Sequence, residues 1–248
     1  MKLREQIKTD ILQVYSTVLK EAGFSQYKKN IAYRVTQDRI DIVELRMACR
    51  GCNTSYNTGK NSFELEAAVF FKFAPHPMMA SFDGIANLPV NSSVDGHFRI
   101  WSKPKLLLRD GFQSNQWRTK PWKLLKQNVT SDLSENLNAY ILPWFEKFSD
   151  LRAVKQYIES RPSFEQVNFK NRKRTALPWG GLYSNTLLGF LYLHLQEWDK
   201  AKLELTDLLN KPHPGHENDP VKYPEFFYQQ IRPEIKRGLV QIENKGSE

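Results

Sequence analysis

The first part of the chain spaces its apolar residues as the buried side of a helix requires. They recur every three or four positions, at Ile7, Ile11, Val14, Tyr15, Val18, Leu19 and Ala22. This spacing places them on one side of a helix with 3.6 residues per turn. Gly23 follows directly, and glycine readily adopts the left-handed conformation that ends many helices. We therefore predict an amphipathic helix from about Arg4 to Ala22.

Strict alternation replaces this spacing further along the chain. Apolar residues alternate with charged ones over residues 43–47 and again over 63–73. The charged positions include Glu44, Arg46, Glu64 and Glu66. Period two with one charged side is typical of a sheet that has one face toward water. Ile31–Thr36 and His97–Leu108 are two further predicted strands, and Pro104 favours an edge position for the second.

Helical signals return after residue 130. The sequence Asp132–Glu135 has the form of a capping box, so we predict that a helix begins there. Pro143 is expected to end this helix, because proline removes a backbone donor and clashes with the preceding turn. Ser149 is then expected to cap a second helix, which Pro162 ends.

The C-terminal part of the chain shows no strand alternation. Leucines at helical spacing predict a hairpin of two helices between residues 187 and 208. Residues 224–244 predict a final helix, with Pro233 as a kink or an early-turn residue. The predicted fold is α+β: a small antiparallel sheet with helices packed on one face, plus an α-helical C-terminal appendage. We expect an α+β domain at residues 1–160, a linker or crossing segment at 161–180, and the appendage at 181–248.

The composition limits the class of protein but does not indicate a function. The 248 residues are 40% hydrophobic and 25% charged, which is ordinary for a globular protein. No apolar stretch is long enough for a membrane span, and the first residues lack the apolar centre of a signal peptide. The chain has only two cysteines, which excludes a disulfide scaffold. We therefore expect a cytoplasmic protein with no membrane association.

Positive charge is concentrated in the middle of the chain. Residues 96–174 carry sixteen Lys or Arg against seven Asp or Glu, and the flanking parts are nearly balanced. Within this block, cations alternate with tryptophans. The candidate anion- or partner-binding residues are Arg99, Trp101, Lys103, Lys105, Arg109, Trp117, Arg118, Lys120, Trp122 and Lys123. We call this set the basic-aromatic strip.

Three interpretations of the basic-aromatic strip stay open at the sequence level. Cations beside aromatic rings suit phosphates with stacked bases. They suit an acidic protein surface with aromatic anchors equally well. In the third interpretation the tryptophans belong to the core and the lysines to a solvated face.

Other candidate chemistry is sparse. Cys49 and Cys52 have the spacing of half a zinc site or of a redox pair, but the sequence offers no second pair of ligands. Two unrelated thiols at the end of a hairpin is the favoured interpretation, and His194 is expected to be a packing residue. Phosphate-binding loops and the common hydrolase motifs do not occur in the sequence. We expect no cofactor, no metal and no catalytic residue.

Residues 188–212 resemble a single tetratricopeptide repeat. The resemblance rests on Leu188, Gly189, Tyr192, Trp198, Ala201, Leu205, Leu208 and a proline near the end. Small residues at 189 and 201 would let two antiparallel helices approach closely. One such unit cannot bury its own apolar face, so it should pack on the preceding domain, on the last helix or on a partner.

The first 160 residues resemble the bacterial domain-of-unknown-function family 4304. The resemblance rests on the order of several signals: a helix that ends in Ala22-Gly23-Phe24, a strand pair and the apolar strand Phe63 to Phe73. Arg99, a segment from Trp117 to Leu125, the sequence Leu142-Pro143-Trp144-Phe145 and the helix Leu151 to Ile158 follow. The resemblance implies a compact α+β domain from a bacterium. The family supplies no established activity or catalytic residues.

These observations favour a non-enzymatic interaction protein that binds a macromolecular partner. A protein partner is the leading hypothesis, with an accessory or immunity-type role within that class. A nucleic-acid-binding module that uses residues 99–126 is the alternative, and an enzyme with a site of dispersed residues is the third. The oligomeric state does not follow from the sequence.

Overall fold

The N-terminal helix forms as its apolar spacing predicts. In the computed structural model, which describes residues 3–47, 62–75, 97–105, 117, 119, 122–160, 184–210 and 231–245, helix α1 spans Leu3–Glu21. Its buried side chains are Ile7, Ile11, Tyr15, Val18 and Leu19. Gly23 has φ +85°, and the Phe24 amide donates to the Leu19 carbonyl. The predicted left-handed helix end is therefore confirmed.

Five described strands form one antiparallel sheet. They are β1 (Gln26–Lys28), β2 (Ile31–Val35), β3 (Arg39–Met47), β4 (Phe63–Phe71) and β5 (Phe98–Trp101), in the order β1-β2-β3-β4-β5. In the pairing of β2 with β3, Ile31 lies opposite Glu44 and Val35 opposite Ile40. Together with the helices, this sheet confirms the predicted α+β fold.

The helices that follow the sheet in the described residues include one π-helix. They are α2 (Trp122–Asn136), a π-helix (Leu137–Ile141), α3 (Leu142–Glu146), α4 (Leu151–Glu159), α5 (Ser184–His194), α6 (Trp198–Asn210) and α7 (Arg232–Lys245). Helices α5 and α6 are the predicted hairpin. Pro233 is the second residue of α7, an early-turn position of the kind that proline tolerates.

The described residues divide into two compact units. The first unit contains those up to residue 69 and those within 99–146. The second contains residues 70–75, 97–98 and those from 147 onward, so α4 belongs with the C-terminal helices. Residues 48–61, residues 76–96 and the predicted linker or crossing segment at 161–180 lie outside the described residues.

Two predicted helix boundaries around residue 140 are wrong. Helix α2 begins at Trp122, so Asp132 lies well inside it instead of capping it. The Asp132 carboxylate instead accepts hydrogen bonds from Trp117 Nε1 and from the Lys105 amide, at 2.8 and 3.0 Å. Pro143 does not end the helix, because the π-helix widens the preceding turn and α3 continues through it. The wider turn removes the steric conflict that proline causes in a regular helix.

The N-cap of α4 is also one residue later than predicted. Asp150, not Ser149, has extended backbone angles, and its carboxylate accepts a hydrogen bond from the Arg152 amide. A carboxylate satisfies an N-terminal amide as a hydroxyl does, and its charge also suits the positive end of the helix dipole.

One face of the sheet in the first unit carries helices. Tyr15 of α1 donates its hydroxyl proton to the Val43 carbonyl of β3 at 2.6 Å. The guanidinium of Arg34 of β2 lies beside the contacting rings of Phe24 and Phe145, 5.2 and 5.7 Å from their centroids. Burial raises the pKa of the Asp41 carboxyl, although Arg39 and Arg34 pair with it and oppose this rise. These contacts tie α1 and α3 to one face of the sheet.

The second unit has an aromatic core and a helical part. Phe98 packs against Phe71 and Phe148, with centroid distances of 6.4 and 4.9 Å. The His194 ring stacks on Phe73 at 4.3 Å, as expected of a packing residue, although its side chain is exposed. Buried aromatic pairs such as those of Phe98 with Phe71 and Phe148 add stability beyond the area that they bury.

Candidate interaction site

Exposure alternates along β5 and beyond its end. Trp101, Lys103 and Lys105 are exposed, whereas Ser102 and Pro104 between them are buried. Ser102 continues the pairing with β4, since its amide donates to the Leu65 carbonyl and its hydroxyl accepts from the Leu65 amide. The sheet therefore presents Trp101 and two lysines from one extended segment.

Arg99 and Trp101 form the best-defined contact of this segment. They are two residues apart on β5 and therefore share a face of the sheet. The guanidinium carbon of Arg99 lies 4.9 Å from the centroid of the Trp101 ring. Trp101 is 39% exposed, and the Arg99 side chain is 28% exposed. A cation stacked on an accessible indole is the kind of contact that interfaces use.

Buried carboxylates lie beside Arg99, and this corrects the expectation of a solvated face. Glu44 and Glu66 are buried, with exposures of 2% and 0%. Arg46 pairs with both, at 3.0 Å from Glu44 and 2.5 Å from Glu66, and Arg99 lies 3.6 Å from Glu66. Burial of these carboxylates is possible because Arg46 of the same strand compensates Glu44, and Arg46 and Arg99 of the two neighbouring strands compensate Glu66.

The site residues Glu44, Arg46 and Glu66 are not in the predicted strip. Period-two alternation puts Glu44 and Arg46 on one face of β3, but it does not show which strand pairs with which. Their meeting with Arg99 depends on the strand order β3-β4-β5.

Tyr33 lies on the same face as Glu44. Burial raises the pKa of the Tyr33 phenol to about 12, and the charge of Glu44 adds to this effect. The phenol therefore stays protonated at neutral pH and does not act as an anionic base there.

The segment that carries Lys103 and Lys105 is attached to the last turns of α2. Asn136 accepts from the Lys103 amide and donates to its carbonyl, at 3.2 and 2.6 Å. The Lys103 ammonium lies 4.5 Å from the centroid of the Tyr140 ring. Lys105 pairs with Glu135 at 2.5 Å, and the hydrogen bond from Lys105 to Glu135 raises the pKa of the lysine.

The other described tryptophans of the strip are buried. Trp117 stacks on Phe63 at 4.8 Å, and Trp122 Nε1 donates to Asp10 of α1 at 3.0 Å. Burial alone would raise the pKa of Asp10, but hydrogen bonds from Lys126 and Trp122 outweigh it and hold the pKa below its ordinary value. Neither indole presents a face on which a base could stack.

The remaining candidates are placed only in part. Lys123 is exposed on α2. Arg109, Arg118 and Lys120 lie outside the described residues, as do Cys49 and Cys52. In the described part of the chain, no cluster of three or more His, Cys, Asp or Glu side chains could hold a metal ion.

Local pairing offsets part of the positive charge of residues 99–126. Arg99 lies beside Glu66 of β4, Lys105 beside Glu135 of α2, and Lys126 beside Asp10 of α1. An exposed pair such as Lys105–Glu135 adds little stability, but each of these pairs lowers the local positive potential. Among the described residues, this part of the chain is therefore less positive than the sequence alone indicates.

Comparison with known proteins adds no relative. No family model, no curated protein and no solved structure matches the chain. The two resemblances seen in the sequence therefore stay predictions. Within the described residues, no helix combines the length and the apolarity that crossing a membrane requires.

Proposed function

We propose that this chain is a non-enzymatic interaction protein that binds an acidic protein partner through residues 99–105. The observation that supports this proposal is the accessible Trp101 ring with the Arg99 guanidinium stacked on it. Tryptophan and arginine are among the residues that contribute most to protein interfaces. The exposed Lys103 and Lys105, which follow this pair on the same extended segment, would attract an acidic surface. An accessory or immunity-type role would be one use of such a surface.

Nucleic acid is the alternative partner. A single-stranded nucleic acid gains affinity from several aromatic rings on which successive bases stack. Among the described tryptophans of the strip, Trp101 is exposed, whereas Trp117 and Trp122 are buried. One exposed tryptophan ring, beside cations that are paired with carboxylates, favours a protein partner over a single strand.

Affinity capture tests the proposed function. The full chain is immobilised, a lysate of the source cells is passed over it, and both retained protein and retained nucleic acid are identified. We expect Trp101→Ala to weaken binding of the retained protein by about 2 kcal/mol, roughly thirtyfold in affinity.

The control for this capture experiment is Leu124→Ala, which removes another exposed apolar side chain of the same unit. Leu124 is 78% exposed on α2, and its removal is expected to leave binding unchanged. Equal retention by Trp101→Ala and wild type, or nuclease-sensitive retention of nucleic acid alone, would contradict the proposal.

A further inference from the structure

Two side chains of α2 hold the backbone of the segment that carries Lys103 and Lys105. Asn136 bonds both backbone groups of Lys103, and the Asp132 carboxylate accepts from the Lys105 amide at 3.0 Å. Asp132 and Asn136 are four residues apart and therefore lie on the same side of the helix. Four helical residues advance by about 6 Å and two extended residues by about 6.6 Å, so the two contacts match. The segment is therefore attached to α2 at two points.

The same attachment brings Lys105 beside Glu135. The Glu135 carboxylate lies 2.5 Å from the Lys105 ammonium, and the two side chains are 52% and 68% exposed. The hydrogen bond from Lys105 to Glu135 raises the pKa of the lysine, and the charge of Asp132 adds to this effect. The chain therefore supplies a carboxylate to Lys105 at a surface that solvent reaches.

A carboxylate of an acidic partner would meet the same ammonium group. An exposed pair of this type adds little stability, so a partner can displace it. Glu135 belongs to the same chain, however, and therefore competes for Lys105 at a high effective concentration. Its charge also repels an acidic surface that approaches. The partner therefore gains the contact with Lys105 only when Glu135 releases it.

We infer that Glu135 is an internal competitor of the acidic partner at Lys105 and lowers the affinity of residues 99–105 for that partner. This inference rests on the proposed function and adds an inhibitory contact to the same site. Glu135 acts through Lys105, so its effect on binding depends on the presence of that lysine.

Binding of a labelled peptide to the full chain tests the inference. The probe is a fluorescein-labelled peptide of eight glutamates, and fluorescence anisotropy gives its dissociation constant. Glu135→Gln keeps the size of the side chain but removes the charge that holds Lys105. It should bind the peptide about threefold more tightly, which is the change expected when an exposed ion pair no longer competes.

The control of equal charge is Glu234→Gln. Glu234 pairs with Arg237 on α7, which belongs to the second unit. Its replacement raises the net charge of the chain by the same amount and leaves the pair at Lys105 intact. Glu234→Gln should therefore bind the peptide as wild type does.

A Lys105→Ala background separates competition for Lys105 from simple repulsion of the peptide. Glu135 has no ammonium to hold in that background, so Glu135→Gln should tighten binding by clearly less than threefold. Equal gains with and without Lys105 would overturn the inference. So would unchanged or weaker binding by Glu135→Gln, an equal gain from Glu234→Gln, or no binding of the peptide to either wild type or Glu135→Gln.

The captured partner separates this inference from the proposed function. If Trp101→Ala loses the partner while Glu135→Gln binds it only as wild type does, the function stands and the role of Glu135 is wrong. If Trp101→Ala retains the partner as wild type does, the proposed function is itself contradicted.

Discussion

Three helices of the second unit meet at the side chain of Leu205. It lies on α6 and is fully buried. A Cβ atom at position 189 of α5 would lie 2.7 Å from Leu205 Cδ2, and one at position 238 of α7 would lie 3.1 Å from Leu205 Cδ1. A side chain at position 189 would therefore force Leu205 to shift, and one at position 238 would be tightly packed against it.

We predict that Gly189→Ala destabilises the protein, although alanine favours a helix by about 1 kcal/mol over glycine. Overpacking against Leu205 costs about 1–3 kcal/mol, so the net loss should be about 1 kcal/mol. Chemical denaturation measures the free energy of unfolding of each variant.

The matched background for this comparison is Leu205→Ala, which removes the atoms that an alanine at position 189 would strike. In that background Gly189→Ala should stabilise the protein, because only the gain in helix propensity remains. A stabilising effect of Gly189→Ala in both backgrounds would show that residue 189 is not closely packed.

At the scale of the elements, the spacing of apolar residues predicted helices and strands, but it could not predict which strands pair. The alternation of residues 63–73 predicted β4, and the leucine spacing predicted α5 and α6. The three-residue strand β1 is too short to show a period. The burial of Glu66 depends on arginines from the two neighbouring strands, which no local pattern reveals.

Residues whose spacing indicates a helix cap can instead make a tertiary contact. Asp132 and Glu135 have the spacing of a capping box, yet they bind the segment at Lys105. Asp150 and Ser149 both suit an N-cap by composition, and only the backbone conformation decides between them. Boundaries of elements were therefore less predictable than their existence.

The cap of α4 gives a prediction at this scale. Asp150→Ala should lower the free energy of unfolding by about 1 kcal/mol, since the Arg152 amide loses its acceptor. Ser149→Ala, one residue earlier, should cost less. Thermal denaturation of the two variants under one buffer compares them directly. A larger loss for Ser149→Ala would mean that the helix begins at the serine after all.

At the scale of the whole molecule, net charge gives an incomplete picture of the candidate site. The formal charge of the chain is +9, and the sequence places this excess in residues 96–174. The structure brings Glu66, Glu135 and Asp10 to Arg99, Lys105 and Lys126 from β4, α2 and α1. The sequence could not show which residues of the strip are exposed, because its buried and exposed tryptophans have similar sequence neighbours.

The measurement that tests the central claim most directly is binding across a salt series. Fluorescence anisotropy compares a labelled single strand, a labelled duplex and a labelled peptide of eight glutamates, from about 50 to 300 mM salt. The variants are Lys103→Ala/Lys105→Ala and, as a control of equal charge on α1, Lys8→Ala/Lys20→Ala.

We predict that at every salt concentration the peptide binds more tightly than either nucleic acid. The Lys103→Ala/Lys105→Ala variant should bind the peptide more weakly than the control does, mainly through a slower association rate. The contradicting result is tighter binding of the single strand or duplex, with a steep salt dependence whose slope falls by about two in the Lys103→Ala/Lys105→Ala variant.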